Sequence, residues 1–70
     1  MRNSTKTAIK EAFMTLLNKK PFDKITVKEI VEECGINRNT FYYHYEDIYD
    51  LLQAVLDDEV QAAMQSVDGF

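Results

Sequence analysis

Two helix-start signals, at Thr26 and Asn37, stand on either side of a single glycine, Gly35. Thr26 with Glu29 makes a capping box. The hydroxyl can accept from the backbone N–H three residues on, and the carboxylate can reach back to the threonine's own N–H. Ile25 and Ile30 bracket the box at the positions of a hydrophobic staple. Asn37 repeats the device, with Ile36 and Phe41 as its staple. Gly35 ends the first of these helices because it has no Cβ to oppose a left-handed backbone. With only Gly35 and Ile36 between them, the two helices are expected to meet at a steep angle, as a helix-turn-helix.

The rest of the chain supplies helices to support that pair. A first helix is expected to start near Asn3 to Thr5, where several side chains can cap, and Ala8, Ile9, Ala12, Phe13, Leu16 and Leu17 form its buried stripe. Lys19, Lys20 and Pro21 close it, and Phe22 is placed to plug the core. A fourth helix starts near Asp47 and carries Ile48, Leu51, Leu52, Val55, Leu56, Val60, Ala63, Met64 and Val67. That stripe, about five turns long, is more than three short helices can cover. Seventy residues, 46% hydrophobic, with one Pro and two Gly, fit one small all-α domain.

Several function classes are disfavoured. No apolar run approaches the ~18 residues of a membrane span, and no leader pattern is present. One cysteine, Cys34, allows no internal disulfide and lacks partners for a metal site. A soluble cytoplasmic protein with no metal and no cofactor is expected. His44 is the single histidine, no nucleophile–base pair and no phosphate-cradling glycine loop is evident, and an enzyme is not expected.

The net charge of −4 argues at first against nucleic acid, but its distribution does not. All eight bases (Arg2, Lys6, Lys10, Lys19, Lys20, Lys24, Lys28, Arg38) precede residue 39. Against the five acids up to Tyr45 they leave that part at +3, while seven acids and no base follow. Such a bipolar chain can set its positive part on phosphates and point the negative part away.

The third helix, expected over 38–45 and suited to the major groove, carries the chemistry. Phe41 and Tyr45 lie one turn apart and are expected to face the core. The opposite side then presents Asn39, Tyr43 and Thr40, with Tyr42 and His44 on the flanks and Arg38 able to swing out over the helix end. Arginine can bond guanine in two places, asparagine can pair adenine, and threonine or an aromatic edge can rest on the thymine methyl. Tyr42, His44 and Asn37 suit phosphate oxygens, as do Thr26 and Lys28 at the start of the second helix, with Lys6 and Lys10 as weaker contacts. Plain structural duties compete with these roles. Thr26 and Asn37 are caps in their own right, and aromatic residues pack cores. Four aromatics between Phe41 and Tyr45 cannot all point inward from one helix, so at least Tyr43 is expected to be exposed.

The run Ile30 … Cys34-Gly35-Ile36-Asn37-Arg38-Asn39-Thr40-Phe41-Tyr42-Tyr43-His44-Tyr45 … Leu51-Leu52 resembles the N-terminal DNA-binding domain of TetR/AcrR-type bacterial transcriptional regulators. Cys34 replaces the family's usual alanine, Tyr45 its phenylalanine, and Ile48 a phosphate-binding lysine. The resemblance implies a homeodomain-like, three-helix head at 1–46 with its motif at 26–45. It implies a fourth helix at 47–67 leading into a ligand-binding and dimerisation body that this chain lacks. It further implies a homodimer that binds double-stranded, palindromic operator DNA and represses transcription until a small-molecule effector enters the body. By matching position, DNA contacts would come from Thr26, Lys28, Asn37, Arg38, Asn39, Thr40, Tyr42, Tyr43 and His44. The alternative is a helical interaction or dimerisation module working through the acidic, amphipathic fourth helix.

Overall fold

The structure, a computed structural model, describes residues 4–67, with side chains as far as residue 64. Helix α1 spans Thr5–Leu17, α2 Val27–Cys34, α3 Arg38–His44 and α4 Ile48–Val67, with a 3-10 turn at Phe22–Lys24. No strand occurs among the described residues. The expected all-α architecture is therefore the observed one.

Local chemistry sets each boundary. Ser4 caps α1 by accepting from the Thr7 N–H at 3.1 Å. The chain leaves α1 after Leu17 on bonds from the Lys19 and Lys20 N–H groups to the Leu16 carbonyl. The Thr26–Glu29 box is closed both ways, Glu29 N–H donating to the Thr26 hydroxyl at 3.2 Å and Thr26 N–H to the Glu29 carboxylate at 3.1 Å. Gly35 takes φ +75°, the left-handed conformation, and its N–H bonds the Val31 carbonyl at 2.9 Å. Asn37 caps α3 by accepting from the Thr40 N–H at 2.9 Å.

At the start of α4 a second reciprocal pair appears. Asp47 accepts from the Asp50 N–H at 2.8 Å, and Asp50 accepts from the Glu46 N–H at 3.0 Å. Carboxylates at this end also suit the helix dipole.

The core joins all four helices. Ile9 and Phe13 of α1, Ile30 of α2, Phe41 of α3 and Leu51 of α4 are fully buried, each contributing ~1.5–3 kcal/mol of transfer free energy. Ile25 and Val31 complete the α2 side, and Val55 the α4 side. The apolar core thus runs past residue 46 and takes in the first two turns of α4. Phe22 is half-buried, edge-on to Phe13 at 6.1 Å and to Tyr49 at 5.4 Å.

Two expectations need correction. The third helix ends at His44, and Tyr45 is extended (φ −140°, ψ 141°), which still turns its ring into the core at 3% exposure. The α4 stripe is not one face. Leu51 and Val55 are buried, whereas Leu56, Val60 and Met64 are exposed. At ~100° per residue the apolar positions drift round the helix. The molecule measures 43 × 28 × 21 Å, and a helix of this length, ~30 Å, accounts for the long dimension.

Candidate nucleic-acid interface

The second and third helices pack together across the Gly35 turn. Phe41 is wholly buried while Tyr43, two residues on, is 84% exposed. That contrast fixes how α3 is rotated, because at ~100° per residue the two side chains must leave the helix on opposite sides. Asn39, one turn before Tyr43, is exposed with it, and so is Arg38. Tyr42 is 51% exposed on the flank.

The exposed rings rest on buried ones. Tyr42 packs edge-on to Phe41 at 5.2 Å, Phe41 lies 5.9 Å from Tyr45, Tyr45 6.4 Å from His44, and His44 5.1 Å from Tyr43. A ring held by its neighbours has less rotamer freedom to lose on binding.

Not every expected residue is equally available. Thr40 is half-buried and donates its hydroxyl proton to the Asn37 side-chain carbonyl at 3.1 Å. The Asn37 oxygen that caps α3 accepts from both the Thr40 N–H and the Thr40 hydroxyl. Asn37 keeps its amide N–H groups for an outside acceptor, and Thr40 only its lone pairs. His44 is half-buried between Tyr43 and Tyr45. The Thr26 oxygen accepts from the Glu29 N–H, and the hydroxyl donates to the Glu29 carboxylate across 3.4 Å between oxygens. Lys28, beside it, is exposed and has no carboxylate within salt-bridge distance among the described residues.

The basic residues divide by partner. Arg2 lies outside the described residues. Lys20 pairs with Glu29, and this holds the Glu29 carboxyl below its ordinary value, with help from the Thr26 N–H. Lys10 pairs with Asp58 of α4, which raises the ammonium pKa. Lys10, expected as a weaker phosphate contact, is thus neutralised by Asp58. Lys6 instead sits 5.8 Å from the centre of the Tyr45 ring, within cation–π range.

Two groups went unforeseen. The Tyr45 hydroxyl is buried without a hydrogen-bond partner, and burial pushes its pKa up. Tyr49 is 71% exposed against Phe22. Cys34 is half-buried, and the same burial raises its thiol pKa, which keeps it in the unreactive form. A groove of about 460 Å³ lies between α1 and α4 around Met14 and Val55. No helix among the described residues is long and apolar enough to cross a membrane.

Comparison with known proteins agrees with this geometry. Residues 9–55 match the family described as bacterial regulatory proteins, tetR family. Among curated proteins, the uncharacterized HTH-type transcriptional regulator YxbF of Bacillus subtilis (strain 168) is 34% identical over 58 residues, 83% of this chain and 15% of that protein. The uncharacterized HTH-type transcriptional regulator YerO of the same organism is 31% identical over 65 residues, 93% of this chain and 22% of that protein. The chain thus spans less than a quarter of the length of either relative. No solved structure matches.

Proposed function

The chain belongs to the tetR family of bacterial regulatory proteins, and on that premise we propose that it is a sequence-specific DNA-binding transcriptional regulator that lays α3 in the major groove. The observation that carries this reading is the exposure of Tyr43, at 84%, on the side of α3 opposite the buried Phe41. A large aromatic residue held out in water by a rigid seven-residue helix has no structural duty there. With Asn39 and Arg38 beside it, it supplies contacts that distinguish thymine, adenine and guanine.

Position and exposure support a division of roles. Arg38, Asn39 and Tyr43 face bases, with Thr40 reaching an edge through its lone pairs. Tyr42, His44, the Asn37 amide, Thr26 and Lys28 take phosphate oxygens and set the register. Lys28 supplies full charge there. Thr26, whose oxygen is used in the cap, contributes more through the N-terminal geometry of α2 than through its hydroxyl. The head is assigned to residues 1–46. Residues 47–67 link it to a ligand-binding and dimerisation body, anchored in the head's core by Leu51 and Val55.

For the parent protein this implies a cytoplasmic homodimer on a palindromic operator, released by a small-molecule effector. Its role is repression of transcription rather than catalysis. Selection from a random duplex pool tests the reading. The parent should enrich a two-fold symmetric consensus with half-sites ~34 Å apart or a multiple of it. A pool that stays random after repeated rounds would remove DNA reading from α3.

A further inference from the structure

The start of α2 holds an acid where DNA phosphate is expected. Glu29 shares its helical turn with Thr26 and Lys28, the two residues assigned there to phosphate oxygens. An uncompensated carboxylate at that place repels the phosphate its neighbours attract. The acid is nevertheless needed, because it closes the capping box by accepting from the Thr26 N–H at 3.1 Å. Lys20 answers the conflict. One carboxylate oxygen of Glu29 takes the Thr26 N–H, and the other takes the Lys20 ammonium. The pair is half-solvated, with side chains 34% and 32% exposed. Glu29 is ionised at neutral pH, its pKa lowered first by Lys20 and then by Thr26. The chain after α1 brings this lysine into place. Its N–H bonds the Leu16 carbonyl at 3.0 Å, and buried Ile25 anchors the far end of the connection. Lys19 and Lys24, on the same connection, are exposed and have no carboxylate within salt-bridge distance among the described residues. Of the three lysines, Lys20 is the one that is paired.

We propose that Lys20 is a positioning residue for DNA binding, which offsets the Glu29 carboxylate so that helix capping and phosphate contact can share one turn of α2. It acts through Glu29 and makes no bond to DNA itself. The inference rests on the DNA reading and adds to it a residue that neither faces a base nor touches a phosphate. Removing the ammonium alone leaves one uncompensated negative charge beside the phosphate. Removing both charges restores the balance, because glutamine serves in a capping box as glutamate does.

The test titrates the chain into a labelled duplex of arbitrary sequence at low salt, since phosphate contacts carry no sequence information. Fluorescence anisotropy should show Lys20→Met binding roughly threefold to tenfold more weakly, the scale of one unit charge near contact at a solvated surface. Lys20→Arg keeps the charge and should bind as the unaltered chain does. The double substitution Lys20→Met with Glu29→Gln should do the same, although it lacks the ion pair. If Lys20→Met also lowers the unfolding midpoint, the double substitution still decides, because it removes the same link between α1 and α2. Undiminished binding by Lys20→Met would overturn the proposal. So would a double substitution as weak as Lys20→Met, which would make Lys20 a direct phosphate contact or a purely structural link. An unaltered chain that binds no duplex at low salt would instead remove the DNA reading, and this role for Lys20 with it.

Discussion

Lys10 on α1 and Asp58 on α4 form an ion pair across 48 residues of sequence, and that pair neutralises a base otherwise offered to phosphate. Both side chains are partly solvated, so the pair contributes at most ~1 kcal/mol to stability. The Lys10 pKa is raised above its ordinary 10.5, so this contribution is present below pH ~10.5 and is lost as pH rises through the folded value. Lys10→Met should lower urea stability by less than ~1 kcal/mol and leave the salt dependence of DNA binding unchanged. A shallower salt slope would return Lys10 to the phosphate contacts.

Tyr45→Phe removes the one buried hydroxyl that lacks a partner among the described residues. An unpaired buried hydroxyl costs ~1–3 kcal/mol relative to water. The variant should therefore be at least as stable as the parent chain and up to ~1 kcal/mol more so, read as a higher urea midpoint at unchanged slope. A clear loss of stability would mean that the hydroxyl has a partner, with Lys10, Asp58 and Asp50 as the charged groups nearest in influence.

Gly35 isolates a pure backbone effect. Its φ is +75°, and a Cβ built there meets nothing within 4 Å. Gly35→Ala should cost ~1–2 kcal/mol through left-handed strain alone, and Gly35→Asn distinctly less, because asparagine tolerates that region. Equal losses in thermal unfolding would point to crowding instead.

Much of this was legible from the sequence because it is local. Thr26, Glu29, Asn37 and Gly35 lie within a few bonds of the backbone groups they satisfy, so their spacing alone states their task. The burial of Phe41 and the exposure of Tyr43 follow from helical periodicity in the same way, whereas Tyr45 reaches the core from an extended backbone. The Lys10–Asp58 pair was not legible, since nothing in the sequence brings the second turn of α1 beside the third turn of α4. The two faces of α4 merged into one stripe because 3.6-residue periodicity drifts. Only the position of the core separates Leu51 and Val55 from Leu56, Val60 and Met64. Thr40 was placed outward by angle, but its bond to Asn37 holds it half-buried.

Lys28 and Asn39 should fail in different ways. Lys28→Ala should weaken binding to all duplexes alike and reduce the slope of log K against log salt by about 1. Asn39→Ala should leave that slope alone and lower preference at one base pair. A sequence-selective loss with Lys28→Ala would move it from the phosphates to the bases.

The account rests on the direction in which Tyr43 points, and Tyr43→Ala on a selected operator tests it most directly. Because the side chain is 84% exposed, the unfolding midpoint should not move. The ratio of affinities for the operator and for a scrambled duplex should fall by ~5- to 160-fold, equivalent to ~1–3 kcal/mol. An unchanged ratio in a fully folded variant would contradict the assignment of α3 as the reading helix.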